Sequence, residues 1–192
     1  MATPSPPAAE NSDVATHHEM IFGAWRCVLG NARVTYLSGP ITTGLRWVAA
    51  VEAGRGESAR IETIASNSQT LLDTASQVRA ATSSIVIEPA SLTVRSWSQD
   101  DYLKLWTELI ERHVGEVRLM DDWAYSNGCA HEFERAVRHD VPTLNLEGKR
   151  LTRSEGIEQL DKACARLEKK CQQHPLLKPL LISIGTVANR LR

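Results

Sequence analysis

A chain of 192 residues, 42% apolar and 23% charged, is long enough for one domain with a real core and too short for two comfortable ones. Its formal net charge of −1 supplies no bulk basic field to hold DNA or RNA, so a small molecule is the easier ligand to support. The four cysteines, Cys27, Cys129, Cys164 and Cys171, form no C-x-x-C pair, which argues against a structural zinc site and against a secreted disulfide framework.

Residues 1–18 are rich in Pro, Ala and Ser and lack a charged-then-apolar signal pattern; they read as a disordered tail. No apolar run approaches the roughly 20 residues of a membrane span, and the expected compartment is the cytoplasm. Residues 19–30 are apolar enough for a short helix or an edge segment. Val34-Thr35-Tyr36-Leu37 predicts the first strand, being β-branched and aromatic and ending at the turn signal Gly39-Pro40. Gly39 would let a ligand approach the backbone closely. Leu45–Ala53 predicts a short helix, broken by Gly54-Arg55-Gly56. The long connection from Ile41 to Glu57 has the length of a segment that covers a site. Arg46 and Arg55 within it stand either against a phosphate or in solvent.

The 3.6-residue spacing of Ile61, Ile64, Leu71, Leu72, Ala75 and Val78 predicts a helix over 58–82. Ser84–Ile87 follows as a second strand, and a strand, helix and strand of these lengths imply a parallel right-handed unit. Ser98 or Asp100 caps a helix running to about His113, with Tyr102, Trp106, Leu109, Ile110 and His113 on its buried face. Val117–Met120 predicts the third strand and Pro142–Leu146 the next. Ser154–Cys171 is a helix on which Cys164 and Cys171 lie two turns apart and cannot bridge. Residues 176–191 repeat an apolar face that either caps the core or packs against a second subunit. The series predicts an α/β fold: a single three-layer Rossmann- or flavodoxin-like domain, its mostly parallel sheet covered by helices on both faces, over residues 19–172. An extra C-terminal amphipathic helix follows over 173–192.

The chemistry concentrates between Asp121 and Ala136. After the third strand comes the polar turn Asp121-Asp122-Trp123-Ala124-Tyr125-Ser126-Asn127-Gly128, then a helix with Cys129, Phe133, Ala136 and Val137 on one face. Ser126 or Asn127 can cap it. In open α/β sheets such a turn lies where ligands bind, and free N–H groups of the helix face the same crevice. Glu132, near the helix start and one step from the buried face, is placed to point at that crevice as a carboxylate nucleophile. The plainer reading is an ordinary acidic residue near a helix start. Cys129-x-His131 with His139 lacks a fourth ligand at a sensible spacing for a metal.

Ser126-x-Gly128-x-x-x-Glu132 followed by Ala136 resembles the nucleophile segment of the nucleoside 2-deoxyribosyltransferase superfamily, which includes deoxynucleoside-monophosphate N-glycosidases. Val34-Thr35-Tyr36-Leu37-Ser38-Gly39-Pro40-Ile41 resembles that family's first strand and its phosphate- or sugar-side loop. The resemblance covers roughly residues 31–150. It implies that Tyr36 orients Glu132, although a core tyrosine with a locally satisfied hydroxyl fits the same pattern. It also implies that Ser38, Gly39, Pro40, Ile41, Trp123, Ser126, Asn127 and Gly128 hold the substrate, and that the protein forms a homodimer or higher homo-oligomer.

The family's second acid is not located by the sequence. An ungapped count from Glu132 lands on Glu108, whereas the helical face puts Trp106 at that place. Asp121 and Asp122 are the expected substitutes, with Asp101 and Glu108 behind them. The resulting expectation is cleavage of the N-glycosidic bond of a nucleoside or nucleotide, by hydrolysis or base transfer, with no metal and no organic cofactor. Two rival readings stand: a nucleotide sensor on the same fold without turnover, and a structural partner acting through the last helix.

Overall fold

The computed structural model describes residues 9–30 and 32–192. In chain order the elements are α1 (Ala9–Leu29), β1 (Val34–Ser38), α2 (Leu45–Glu52), α3 (Arg60–Ala81), β2 (Val86–Ile87), α4 (Gln99–His113), β3 (Val114–Leu119), α5 (Asn127–Arg138), β4 (Thr143–Asn145), α6 (Arg153–Cys171) and α7 (Lys178–Leu191). The four strands form one sheet in the order β2-β1-β3-β4, all parallel. The chain runs outward from β1 to β2, then crosses back over β1 to build β3 and β4. The direction of winding therefore reverses between β1 and β3, and the carboxyl ends of these two strands flank the place where open α/β sheets bind ligands.

All five residues of β1 are buried, as a central strand requires. Its alternation divides the core. Leu37 packs on one face with Leu71, Ala75 and Val78 of α3 and with Val86. Val34 and Tyr36 point to the opposite face, into the larger cluster built with α4 and α5. Across β3, Tyr36 pairs with Val117 and Ser38 with Leu119, which fixes both side chains on the α5 side.

Local chemistry sets the helix ends. Ser98 and Asp101 form a reciprocal capping box at α4, and Thr152 and Glu155 form another at α6. Ser126 caps α5, its Oγ accepting from the Cys129 N–H at 3.4 Å.

Three expectations need adjustment. Residues 9–18, read as part of a disordered tail, belong to α1; residues 1–8 of that reading lie outside the described residues. Val14, Ile21, Phe22, Trp25 and Leu29 fall on one side of α1 and pack on the core, with Trp25 5.8 Å from Trp106 between ring centres. The second strand shortens to Val86–Ile87, although the Thr35 N–H still reaches the Ile85 carbonyl at 2.9 Å. The third strand starts earlier, at Val114, because Val114 pairs with Val34 directly after α4 ends. The last helix packs on α5 and α6 of its own chain, burying Leu180, Ile184, Val187 and Leu191.

Candidate active site

Strand periodicity places Tyr36 and Ser38 on the same side of β1, and α5 crosses above them. Glu132, 5% exposed, sits between. The Tyr36 hydroxyl donates to its Oε1 at 2.8 Å and the Ser38 hydroxyl to its Oε2 at 2.6 Å. Each carboxyl oxygen thus accepts one hydrogen bond, the pattern an ionised carboxylate wants. Burial pushes the Glu132 carboxyl above its ordinary value, while the Ser38 and Tyr36 hydrogen bonds pull it down. Burial, then the neighbouring Glu132 charge, drives the Tyr36 phenol well above its ordinary value, so it stays protonated and donates. Cys129, one turn earlier on α5, is also held in its thiol form by burial and by Glu132, which removes it as a thiolate nucleophile.

Glu132 lines a cavity of about 280 Å³. The loop after β1 contributes Gly39, Ile41 and Thr42; the start of α5 contributes Ser126, Asn127, Gly128 and Cys129. Asp100, Tyr102 and Trp106 of α4 form a second wall, and Pro89, Ala90 and Ile64 a third. Two side chains that the sequence reading passed over hold these walls. The Asn67 amide of α3 donates to the carbonyls of Ile41 at 3.0 Å and Thr43 at 2.8 Å, and its own oxygen accepts from Arg46 at 2.9 Å. Glu88 is buried and accepts from the N–H groups of Ala90 at 2.7 Å and Ser91 at 3.2 Å, which fixes the turn at Pro89. An Asn inside a helix and a Glu before a Pro carry no visible signal of such roles.

The structure separates the expected site residues into two groups. Glu132, Gly39, Ile41, Ser126, Asn127 and Gly128 line the cavity, while Tyr36 and Ser38 lie behind Glu132 and hold it. Gly39 lines the cavity and also meets a packing need: a Cβ there would sit 2.4 Å from Met120 Sδ and 2.9 Å from Leu71 Cδ1. Asp121, Asp122 and Pro40 instead border a different hollow, beside Met120 and Leu146. Asp122 accepts from the Leu45 N–H at 3.1 Å and so anchors the start of α2. Trp123 is buried, donates its indole N–H to Gln159 at 2.7 Å and packs on Phe133 with ring centres 4.7 Å apart.

Among the lesser candidates, Asp101 is engaged in the α4 cap and Glu108 pairs with Arg112 at 2.7 Å. The acid that does line the cavity with Glu132 is Asp100, exposed in the first turn of α4. Because Ser98 takes the capping role, Asp100 is left to face the hollow; the Ser98-x-x-Asp101 spacing was the signal that could have found it. Cys129 and His131 point apart, Cys129 inward and His131 toward Glu134 at 3.7 Å. Among the described residues no group of three or more His, Cys, Asp or Glu side chains is arranged to hold a metal, and no helix is long and apolar enough to cross a membrane.

No protein-family model matches this chain, and no curated protein or solved structure matches it either. What fold and site define is a parallel α/β domain with a hydroxyl-held, buried carboxylate at the switch point of its sheet. The family resemblance rests on the two sequence motifs.

Proposed function

We propose that the protein cleaves the N-glycosidic bond of a nucleoside or nucleotide. One observation carries this reading: a carboxylate gripped by two hydroxyls in the wall of a cavity large enough for a pentose. In the proposed first step a Glu132 oxygen bonds to the anomeric carbon as the bond to the base nitrogen breaks. The bonding pair leaves with the base, and Asp100 supplies the proton that neutralises it. Water then cleaves the glycosyl ester, or a second base takes the sugar and reverses the step. Trp106 and Tyr102 offer apolar ring surface beside the reacting sugar.

The test is direct. Purified wild type and Glu132→Gln are incubated with the common nucleosides and deoxynucleotides, and free base is followed by chromatography. Wild type should release base and the variant should be slower by about 10³-fold or more. Equal release would remove Glu132 from the reaction.

A second reading, a nucleotide-binding sensor without turnover, draws support from one feature: Asp100 is exposed, and no buried second acid lines this cavity among the described residues. Saturable nucleotide binding with no base released after long incubation would select it.

A further inference from the structure

A second hollow, of about 270 Å³, opens between α4, α5 and α7. That volume falls just below the roughly 300–1,000 Å³ usual for small-molecule sites. Lys104, Arg135, Arg138 and Arg190 line it together with His131 and Glu134. Among the lining residues themselves, four cations face one carboxylate, Glu134. Outside the lining, Glu111 pairs with Arg135 at 2.9 Å, Asp101 interacts electrostatically with Lys104 and Asp100 with His131, so acids stand at the rim and the cations concentrate inside. Burial lowers the pKa of His131 and favours its neutral form, so His131 does not add to this count at neutral pH. Four cations to one acid in the lining stands out in a chain whose formal net charge is −1.

The cations are arranged in advance. Glu134 is buried; Arg138 holds its Oε1 at 2.8 Å and Arg190 lies 3.6 Å from its Oε2. Each guanidinium spends one nitrogen on Glu134 and keeps further N–H donors for a ligand. Lys104 is exposed beside the hollow and interacts electrostatically with Asp101 on its own helix. Part of the ordering cost of a binding site is thereby met before any ligand arrives.

We propose that this hollow binds the phosphate groups of a small molecule, as a diphosphate either free or carried by a nucleotide. A multiply charged oxyanion can meet several of the lining cations at once as a single carboxylate cannot, and arginine forks match its oxygens in pairs. The site is separate from the glycosidic chemistry: Leu103 borders both hollows, and Glu132 belongs to the other one.

Isothermal titration calorimetry on the full chain tests this, with inorganic pyrophosphate and with adenosine diphosphate as probes. Wild type should bind one equivalent of pyrophosphate saturably, and more weakly as sodium chloride is raised. Lys104→Gln and Arg190→Gln should each weaken binding at least about tenfold, as expected for loss of a charge-assisted contact, while Glu132→Gln binds as wild type. Equal or tighter binding of pyrophosphate assigns a free diphosphate; tighter binding of the nucleotide that Lys104→Gln also weakens assigns a nucleotide. Lys104 is exposed, so its variant keeps the test open if Arg190→Gln fails to fold. Absence of saturable binding by wild type, wild-type affinity in Lys104→Gln, or loss of binding in Glu132→Gln would each overturn the assignment.

Discussion

Glu132 accepts two hydroxyl hydrogen bonds in a place where burial opposes its charge, and the two effects give opposite predictions for two kinds of variant. The proposed reaction needs the carboxylate, so the acid limb of kcat/KM should lie above the ordinary glutamate value. Tyr36→Phe or Ser38→Ala removes a donor that lowers the pKa, and the limb should move to still higher pH. A pH–rate profile with an unmoved limb in both variants would disconnect these hydroxyls from the reacting group. Stability runs the other way. A carboxyl whose folded-state pKa is raised stabilises the fold below its unfolded value, and that stability is lost as pH rises through the folded value. Glu132→Gln should therefore melt like wild type near pH 4 and above it near pH 8, by about 2–4 °C per kcal/mol. The same scale holds the acid assignment. Asp100→Asn should slow base release about 10²-fold for poor leaving groups and much less for good ones. Asp121→Asn should leave the rate near wild type, since Asp121 borders the other hollow.

Element by element, the sequence was legible where a spacing had one physical meaning. A cap at Ser126 or Asn127, the inward side of Glu132 and the apolar face of α4 each follow from a count along a helix; the structure chooses Ser126, and Trp106 lies on the cavity wall. The position of Asp121 and Asp122 was not legible, because a turn at a strand end can send its side chains to either side of the sheet. Only the contact of Asp122 with Leu45 decides which. The close approach of α5 and α6 was equally hidden, since Gly156 looks like any helical glycine. A Cβ there would stand 2.0 Å from Cζ of Phe133, the residue next to Glu132. Gly156→Ala should cost about 1–3 kcal/mol by overpacking and should lower base release with it, as α5 is pushed away from β1. Thermal melts and rates on the same preparation check this; an unchanged pair would mean that Phe133 turns aside freely.

At the level of the whole molecule, the alternation of strands and helices made the parallel sheet legible, while the winding order β2-β1-β3-β4 is what places a site between β1 and β3. The sequence left open whether the last helix caps the core or meets a second subunit, because one apolar face serves either purpose. Here α7 buries Leu180, Ile184, Val187 and Leu191 against its own chain, and the Ser183 hydroxyl donates to the Asn127 side chain at the start of α5. Fully burying such aliphatic side chains contributes about 1.5–3 kcal/mol each. Their sum is comparable to the roughly 5–15 kcal/mol that holds a domain folded. A chain ending at residue 177 should therefore show no cooperative unfolding transition by circular dichroism. Ile184→Ala, fully buried in the full chain, should instead fold and lose about 2–5 kcal/mol. If the shortened chain melts like the full one, α7 is an accessory and α5 is held from the sheet side alone. If it fails while Ile184→Ala folds and still releases base, the helix is part of the core on which the position of Glu132 depends.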